Sequence, residues 1–247
     1  MVSSPSFVHL CYNSHKYMTY NCEECISMKF KLTSDQIKLI AIVAMVIDHI
    51  GSVGYPELPF LRIIGRLTLP IMCYFIAIGY EKTHAFSGYL GRLLFWGVVS
   101  ILPYSLYFKG DYHNVLFTLA LGLVLLRVLD TPISSDLKFL AIIGTGFIST
   151  AFHFDGSFVA IGFILIFRYF RDFPTKKWSF SIALLICYQL LILYISPSWN
   201  HVLLYVQNAS LLAFPLLSHY DGNRGRLKYL FYMFYPFHLL ILYYLLT

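Results

Sequence analysis

The sequence predicts an all-α, polytopic integral membrane protein, and three observations support that fold class. Hydrophobic residues make up 58% of the 247-residue chain and charged residues only 12%, with a mean hydropathy of +0.68. A soluble domain carries about 25% charged residues, so this composition excludes a soluble globular protein. After residue 36 the chain divides into apolar runs of about 15 to 20 residues, and Lys and Arg gather in the loops on one side of them.

Nine apolar runs define the predicted transmembrane helices in chain order. Each is close to the length that crosses the roughly 30 Å hydrocarbon layer, and short polar loops separate them. The fifth and sixth runs are short and adjoin through His153 and Asp155, so counts of eight or ten helices stay open. The predicted spans are 37–54, 61–80, 89–108, 113–129, 138–152, 156–170, 178–195, 200–217 and 228–246.

The basic residues predict a cytoplasmic N-terminus and an outer C-terminus in a multi-pass protein of the cell membrane. With that orientation 15 of the 18 Lys and Arg residues lie on the cytoplasmic side, where positive charge concentrates in membrane proteins. The net charge of +6 therefore reflects topology, and no nucleic-acid partner is expected. The cytoplasmic set is Lys16, Lys29, Lys31, Lys38, Lys82, Arg92, Arg127, Lys138, Arg168, Arg171, Lys176, Lys177, Arg224, Arg226 and Lys228, and the outer set is Arg62, Arg66 and Lys109.

Residues 1–36 form a predicted polar cytoplasmic segment that precedes a single membrane domain, residues 37–247. The segment has no apolar stretch of the kind that a cleavable signal peptide needs. Met28 precedes a conventional charged lead-in, KFKLTSDQIK, so residues 1–27 are open to interpretation as an upstream extension of the start site. Cys22 and Cys25 form one CxxC pair, but zinc would require two more ligands, and no metal site is expected.

Ionisable and amide side chains interrupt the apolar runs at a similar predicted depth. Asp48 and His49 lie in the first run, about 18 Å from its cytoplasmic start, and Arg66 lies in the second. A charge at such a depth costs roughly 2.5 to 3.5 kcal/mol on insertion scales, so these side chains are expected to line a cavity. Asn114, Asp155 and His238 add one polar group each from later runs.

Structural interpretations compete with the functional one at each position. Asp48 and His49 are also consistent with a polar helix-pairing patch, although adjacent residues point about 100° apart, so one neighbouring helix does not satisfy both. Arg66 is also consistent with snorkelling to the outer headgroups. Asn114 and Asp155 lie near loop ends, where polar residues are ordinary.

Six ordered segments resemble the TraX family, whose namesake N-acetylates conjugative pilin, and together they cover most of residues 29–246. The spacing from Lys38 to His49, with ten residues between them, is also similar to a signature of the wider transmembrane acyltransferases. The resemblance implies an acyltransferase that uses acetyl-CoA as donor. The segments are IKLIAIVAMVIDHIG (37–51), IGRLTLPIMCYFIAIGYEKT (64–83), YLGRLLFWGVVSILPY (89–104), NVLFTLALGL (114–123), DGSFVAIGFILIF (155–167) and FYMFYPFHLLIL (231–242).

Acyl transfer assigns a role to each intramembrane polar residue. His49 is the predicted general base, because the unperturbed pKa of histidine lies near neutrality. Asp48 is the predicted carboxylate that orients it, with Asp155 as an equal alternative, and Arg66 or Asn114 is expected to stabilise the oxyanion. His238 and Asn114 are also candidates for supporting or substrate-contacting positions.

The donor is expected to thread from the cytoplasmic face towards His49. Its phosphates would then contact cations below, for which Lys38, Lys82 and Arg92 are the candidates, with the pairs Arg168/Arg171 and Lys176/Lys177 as further ones. Positive-inside topology also accounts for all of these charges. The expected acceptor is an amine or hydroxyl of a peptide or an envelope glycan, and the oligomeric state is open.

Two other functional classes remain as alternatives. A small proton-coupled transporter would use Asp48, His49 and His238 as a relay, although the chain lacks the internal repeat that many such transporters carry. A non-catalytic helper of a secretion or conjugation complex would not require ionisable residues at a common depth.

Overall fold

The computed structural model describes residues 31–110, 113–195, 201–223, 225–227 and 229–246, and these are helical without any strand. Ile50–Gly54 continues α1 as a π-helix, and Gln207–Leu212 forms a 3₁₀ segment between α10 and α11. The helices are α1 (Ser34–His49), α2 (Pro59–Gly65), α3 (Thr68–Lys82), α4 (Phe86–Val99), α5 (Ile101–Phe108), α6 (Val115–Leu129), α7 (Ser135–Ala151), α8 (Ser157–Phe170), α9 (Pro174–Ile195), α10 (His201–Val206), α11 (Ala213–Ser218) and α12 (Leu230–Leu246).

The all-helical class is confirmed, and the lengths of the helices qualify the predicted spans. Three continuous segments, Ser34–Gly54, Pro59–Lys82 and Pro174–Ile195, are long and apolar enough to cross a membrane. The pair α4 and α5 qualifies together with a 44° bend, and the other apolar helices are shorter. The count of nine spans and the side of the N-terminus remain predictions. Residues 1–30, with the Cys22–Cys25 pair and Met28, lie outside the described residues.

Local sequence signals explain where α1 begins and how it is fixed. The Thr33 side chain accepts a hydrogen bond from the Gln36 backbone, and the Gln36 side chain accepts one from the Thr33 backbone, which forms a capping box. The carboxylate of Asp35 also accepts hydrogen bonds from the backbone of Arg226 and Leu227, at 2.7 and 3.3 Å. The start of α1 is therefore tied to the chain just before α12.

The core lies where α1, α3, α6 and α8 meet, and α9 lies at its edge. Gly122 of α6 permits close packing, because a Cβ there would collide with the side chain of Ile164 on α8. Cys73 of α3 donates from Sγ to the Ala160 carbonyl on α8 at 3.4 Å. In the most apolar stretch of Pro59–Lys82, 50% of the residues are buried inside the protein, whereas in the most apolar stretch of α9 only 11% are buried. Most of the surface of α9 is thus left for lipid.

Charged side chains pair at one end of the bundle, beside the loops that follow α3 and α8. Glu81 accepts from Arg168 at 3.0 Å and from Arg171 at 2.7 Å. Tyr80 donates to the carboxylate of Asp130 at 2.7 Å, which joins α3 to the end of α6. This is the end that the basic residues predict to be cytoplasmic.

Candidate active site

Two buried histidines from the first and last helices contact each other directly. His49 Nδ1 lies 2.8 Å from His238 Nε2, and both side chains are almost completely excluded from solvent. The two rings are nearly parallel, at 13°, with their centroids 5.0 Å apart. The short distance between the nitrogens, the long distance between the centroids and the small interplanar angle together indicate that the rings lie edge to edge in nearly one plane. The hydrogen bond between the nitrogens is therefore nearly straight.

The surrounding hydrogen bonds determine which nitrogen carries each proton. His238 Nδ1 lies 3.0 Å from the Phe234 carbonyl, which only accepts, so Nδ1 of His238 is protonated. In a neutral His238 ring Nε2 is then the acceptor, and His49 Nδ1 must be the donor to it. Neutral His49 consequently has its lone pair on Nε2. The pair of rings therefore holds His49 in the tautomer that a base requires.

Further contacts fix the backbone of His49 and the orientation of its ring. Its carbonyl accepts hydrogen bonds from the Tyr107 hydroxyl at 2.7 Å and from the Ser52 hydroxyl at 2.9 Å. The Phe108 ring meets the His49 ring edge-on, with centroids 5.2 Å apart. These contacts come from α5 and from the π-helical turn after His49, a feature that is frequent at functional sites.

Asp48 points away from His49 and is paired with two arginines. Its carboxylate accepts from Arg62 at 2.8 Å and from Arg66 at 2.8 and 3.0 Å. Arg62 also donates to the Asp48 carbonyl at 3.0 Å, and Arg66 donates to the Gln207 side chain at 3.0 Å. The hydrogen-bond partner of the His49 ring is thus His238, where the sequence interpretation placed Asp48 or Asp155.

Two signals in the sequence account for this ion-pair cluster: Gly65, and the spacing between Arg62 and Arg66. Gly65 is required because a Cβ at that position would collide with the Asp48 carboxylate, so α2 approaches α1 closely only with glycine there. Arg62 was assigned simply to the outer flank. Its spacing of four from Arg66 places both guanidinium groups on one helical face, and this spacing is the signal that identifies it.

A cavity of about 180 Å³ lies beside His49 and the ion-pair cluster. Its wall includes His49, Asp48, Arg66 and Asp155, together with Tyr235 and Gln207. The structure thus brings together four of the six predicted catalytic or supporting residues along one cavity. His238 contacts these residues through the hydrogen bond between its ring and the ring of His49.

Asn114 has a structural position that is separate from this cavity. It caps α6, accepting from the Leu116 backbone at 3.2 Å, and its side-chain amide donates to the Gly97 carbonyl at 2.8 Å. Both ends of the amide are therefore engaged in joining α6 to α4. This arrangement matches the interpretation of Asn114 as an ordinary loop-end residue.

A second cavity, of about 480 Å³, lies towards the opposite end of the same helices. Lys38, Lys82 and Arg92 all line it, and within the described residues no acidic side chain does. Lys38 and Arg92 form no ion pair in the described part of the chain, although the Lys38 ammonium lies 5.0 Å from the centre of the Phe75 ring. Such a set of cations favours an anionic ligand.

The other cations considered for phosphate contact lie elsewhere. Arg168 and Arg171 are already paired with Glu81, and neither lines the 480 Å³ cavity. Lys176 and Lys177 lie over the rings of Phe173 and Phe214 and also fall outside it. The structure thus separates the three cavity-lining cations from the two loop pairs.

The two cavities share a wall, which is one face of α3. Thr68 and Met72 line the smaller cavity, and Met72, Phe75, Ile76 and Gly79 line the larger one. These positions recur every three or four residues, as one face of a helix requires. Met72 is the residue that borders both cavities.

Two comparisons with known proteins give matches to this chain. The family model described as TraX protein matches residues 33–246. A protein of Dichelobacter nodosus named probable fimbrial assembly protein FimC, serogroup H1, is 34% identical over 240 residues, which is 88% of this chain and 97% of that protein. An uncharacterized protein of Rickettsia prowazekii (strain Madrid E) is 37% identical over 90 residues, covering 36% of this chain and 34% of its own length. No solved structure matches the chain significantly. The match along almost the whole membrane domain shows that this chain belongs to the TraX family.

Proposed function

We propose that this chain is a membrane-embedded acyltransferase that moves an acetyl group from acetyl-CoA to an amine or hydroxyl of an acceptor. The observation that carries the proposal is the His49–His238 hydrogen bond, which leaves the lone pair of His49 on Nε2 at a cavity that Arg66 also lines. A base with a fixed tautomer beside a cationic hydrogen-bond donor is the arrangement that acyl transfer requires.

The reaction uses the two sides of this cavity in sequence. His49 Nε2 takes the proton of the acceptor N–H or O–H as the acceptor atom attacks the thioester carbonyl carbon. The carbonyl electrons move onto the oxygen, where the Arg66 guanidinium stabilises the negative charge. The C–S bond then breaks, the carbonyl reforms, and the thiolate takes the proton from His49 to give free CoA. His238 keeps its Nδ1 proton throughout, and its Nε2 accepts a hydrogen bond from the His49 imidazolium.

The larger cavity supports a phosphate-bearing donor. Lys38 lines it, and His49, eleven residues further along α1, lines the smaller cavity, an axial distance of about 16 Å. An extended thioester arm of roughly that length would place its phosphates near Lys38, Lys82 and Arg92 while its carbonyl reached His49. Met72 lies between the two, and an unbranched, flexible side chain at that point suits a passage that opens for a thin chain.

The proposed setting is the cell membrane, with nine spans, the N-terminus and the donor cavity facing the cytoplasm, and the reaction cavity towards the outer side. The acceptor would then approach from outside. The relative in Dichelobacter nodosus is named a probable fimbrial assembly protein, and we take an exported fimbrial or pilin-like peptide as the first acceptor to test, with an envelope glycan as the second.

The test compares wild type with His49→Ala in cells that lack the chromosomal gene. Mass spectrometry of exported peptides and envelope glycans should find one acetyl group that wild type adds and His49→Ala does not, at equal amounts of membrane-inserted protein. His219→Ala is the matched control, because His219 is an exposed histidine near the predicted cytoplasmic end. Uptake of a solute coupled to protons in proteoliposomes, independent of CoA and without any acetylated product, would contradict the proposal.

A further inference from the structure

A tyrosine that the sequence interpretation did not single out lies against the histidine pair. Tyr235 is three residues before His238 on α12, and its ring lies 5.5 Å from the His238 ring, centre to centre, at 64°. The side chain is 1% exposed and lines the same 180 Å³ cavity as His49 and Arg66.

The Tyr235 hydroxyl is buried without a hydrogen-bond acceptor in the described part of the chain. No described residue makes a hydrogen bond of ordinary geometry with it. The backbone N–H of Val115, at the start of α6, approaches the phenolic oxygen, but an N–H offers nothing for the hydroxyl proton to bind. Buried polar groups are normally satisfied, and a phenylalanine would fill the same space without this unfavourable O–H. The hydroxyl therefore requires an explanation beyond packing.

Arg66 has a second donor of the same kind. Its two terminal nitrogens are engaged by Asp48 and Gln207, while Nε is buried and has no acceptor among the described residues. Tyr235 and Arg66 both line the cavity that also contains the proposed base, and each carries one buried donor without an acceptor among the described residues. Two unused donors beside a base are suited to an oxygen that gains negative charge during the reaction.

We propose that Tyr235 is a further catalytic residue, whose hydroxyl donates a hydrogen bond, together with Arg66 Nε, to the thioester carbonyl oxygen. This inference rests on the proposed acyl transfer. As the acceptor attacks the carbonyl carbon, the carbonyl electrons move to that oxygen, and the O–H and N–H bonds remain on the protein. When the C–S bond breaks, the electrons return and both hydrogen bonds weaken. The donors bind the transition state more tightly than the planar thioester.

The test is Tyr235→Phe, which removes the hydroxyl and keeps the ring. Membrane vesicles that contain the protein and its acceptor are supplied with radiolabelled acetyl-CoA, and label in protein and glycan is counted. Loss of one oxyanion donor typically lowers kcat by about 10²-fold or more, so we expect that loss with KM for acetyl-CoA almost unchanged. The melting temperature should not fall, because an unsatisfied buried hydroxyl is removed. Tyr244→Phe is the control, since Tyr244 is exposed on the same helix.

A binding measurement separates a catalytic hydroxyl from a structural one. S-acetonyl-CoA has a ketone near the sulfur and S-propyl-CoA has none, so wild type should bind the ketone more tightly, and Tyr235→Phe, which retains Arg66, should show a smaller preference for it. Wild-type labelling with full activity in Tyr235→Phe would overturn the role of Tyr235 and leave the acyltransferase proposal standing. Absence of labelling in wild type, with its acceptor present, would overturn both.

Discussion

His238 offers the sharpest test of how the histidine pair works, because it is proposed to act through His49. The substitution His238→Leu replaces the ring with an apolar side chain of moderate size. It removes the ring nitrogen that accepts a hydrogen bond from His49 Nδ1 at 2.8 Å. His49 would then lose the partner that fixes its tautomer and orientation. We expect turnover to fall while the KM for acetyl-CoA changes little, since Lys38 and the donor cavity are untouched.

The size of the effect follows from the lost hydrogen bond. His49 and His238 are both buried, so the Nδ1–H of His49 would be left without an acceptor at a cost of about 1 to 3 kcal/mol. If that cost falls on the base in its reactive tautomer, it corresponds to a loss of roughly 5- to 150-fold in kcat. His238→Gln should recover part of the loss, because an amide oxygen can accept the same hydrogen bond.

The assay follows release of free CoA thiol in the presence of acceptor, with purified protein at equal folded amounts. Turnover of His238→Leu within twofold of wild type would refute the tautomer argument. Equal activity in His238→Leu and His238→Gln would also refute it, because that result would mean that the atom accepting the hydrogen bond from His49 has no role.

Three further predictions concern the close packing at the site and the path of the donor. Gly65→Ala should lower the free energy of unfolding by roughly 1 to 3 kcal/mol and remove most activity, because the new methyl group displaces the Asp48 carboxylate; thermal denaturation in detergent measures it. Lys38→Gln should raise the KM for acetyl-CoA by roughly tenfold, since a hydrogen bond to a charged group contributes about 1.5 to 3 kcal/mol, with kcat nearly unchanged. Met72→Phe should lower transfer more than tenfold by blocking the passage between the cavities, while binding of ADP, which lacks the thioester-bearing arm, should stay intact by calorimetry.

Each of these predictions has a matched control in the chain. Gly91→Ala should be neutral or slightly stabilising, because nothing lies within 4 Å of a Cβ there. Lys176→Gln removes a cation that lies over Phe173 and should leave KM unchanged. Met233→Phe changes an exposed methionine and should retain transfer. A destabilised Gly91→Ala, an unchanged KM in Lys38→Gln or full transfer by Met72→Phe would each contradict the corresponding argument.

Hydropathy was sufficient to predict the all-helical class, because the apolar runs can be read directly from the sequence. It was less informative about where a segment bends. The run 89–108 is divided between α4 and α5 beside Ser100, three residues before Pro103. Proline removes the backbone hydrogen bond to the residue four positions earlier, so Pro103 was the available signal. The exact number of crossings depends on packing and on the bilayer, and hydropathy does not contain that information.

The side chains that meet around the 180 Å³ cavity were predictable in part, and their pairings were less so. The depth of Asp48 and His49 along one helix follows from counting residues, and their 100° separation predicts that they face different neighbours. Asp48 indeed faces α2 and His49 faces α12. The identity of the partner depends on how distant helices pack: His49 and His238 are 189 residues apart in the chain, and no local pattern joins them.

The pairing of Asp48 with Arg62 and Arg66 has a consequence for biogenesis. During synthesis the segment with Asp48 leaves the ribosome before either arginine, and a lone carboxylate in lipid costs about 2.5 to 3.5 kcal/mol. The two segments are joined by a short loop, and the Asp48 carboxylate of the first is paired with Arg62 and Arg66 of the second. The two segments are therefore suited to enter the bilayer together as a helical hairpin. The first segment would stay at the translocon until the second has been synthesised.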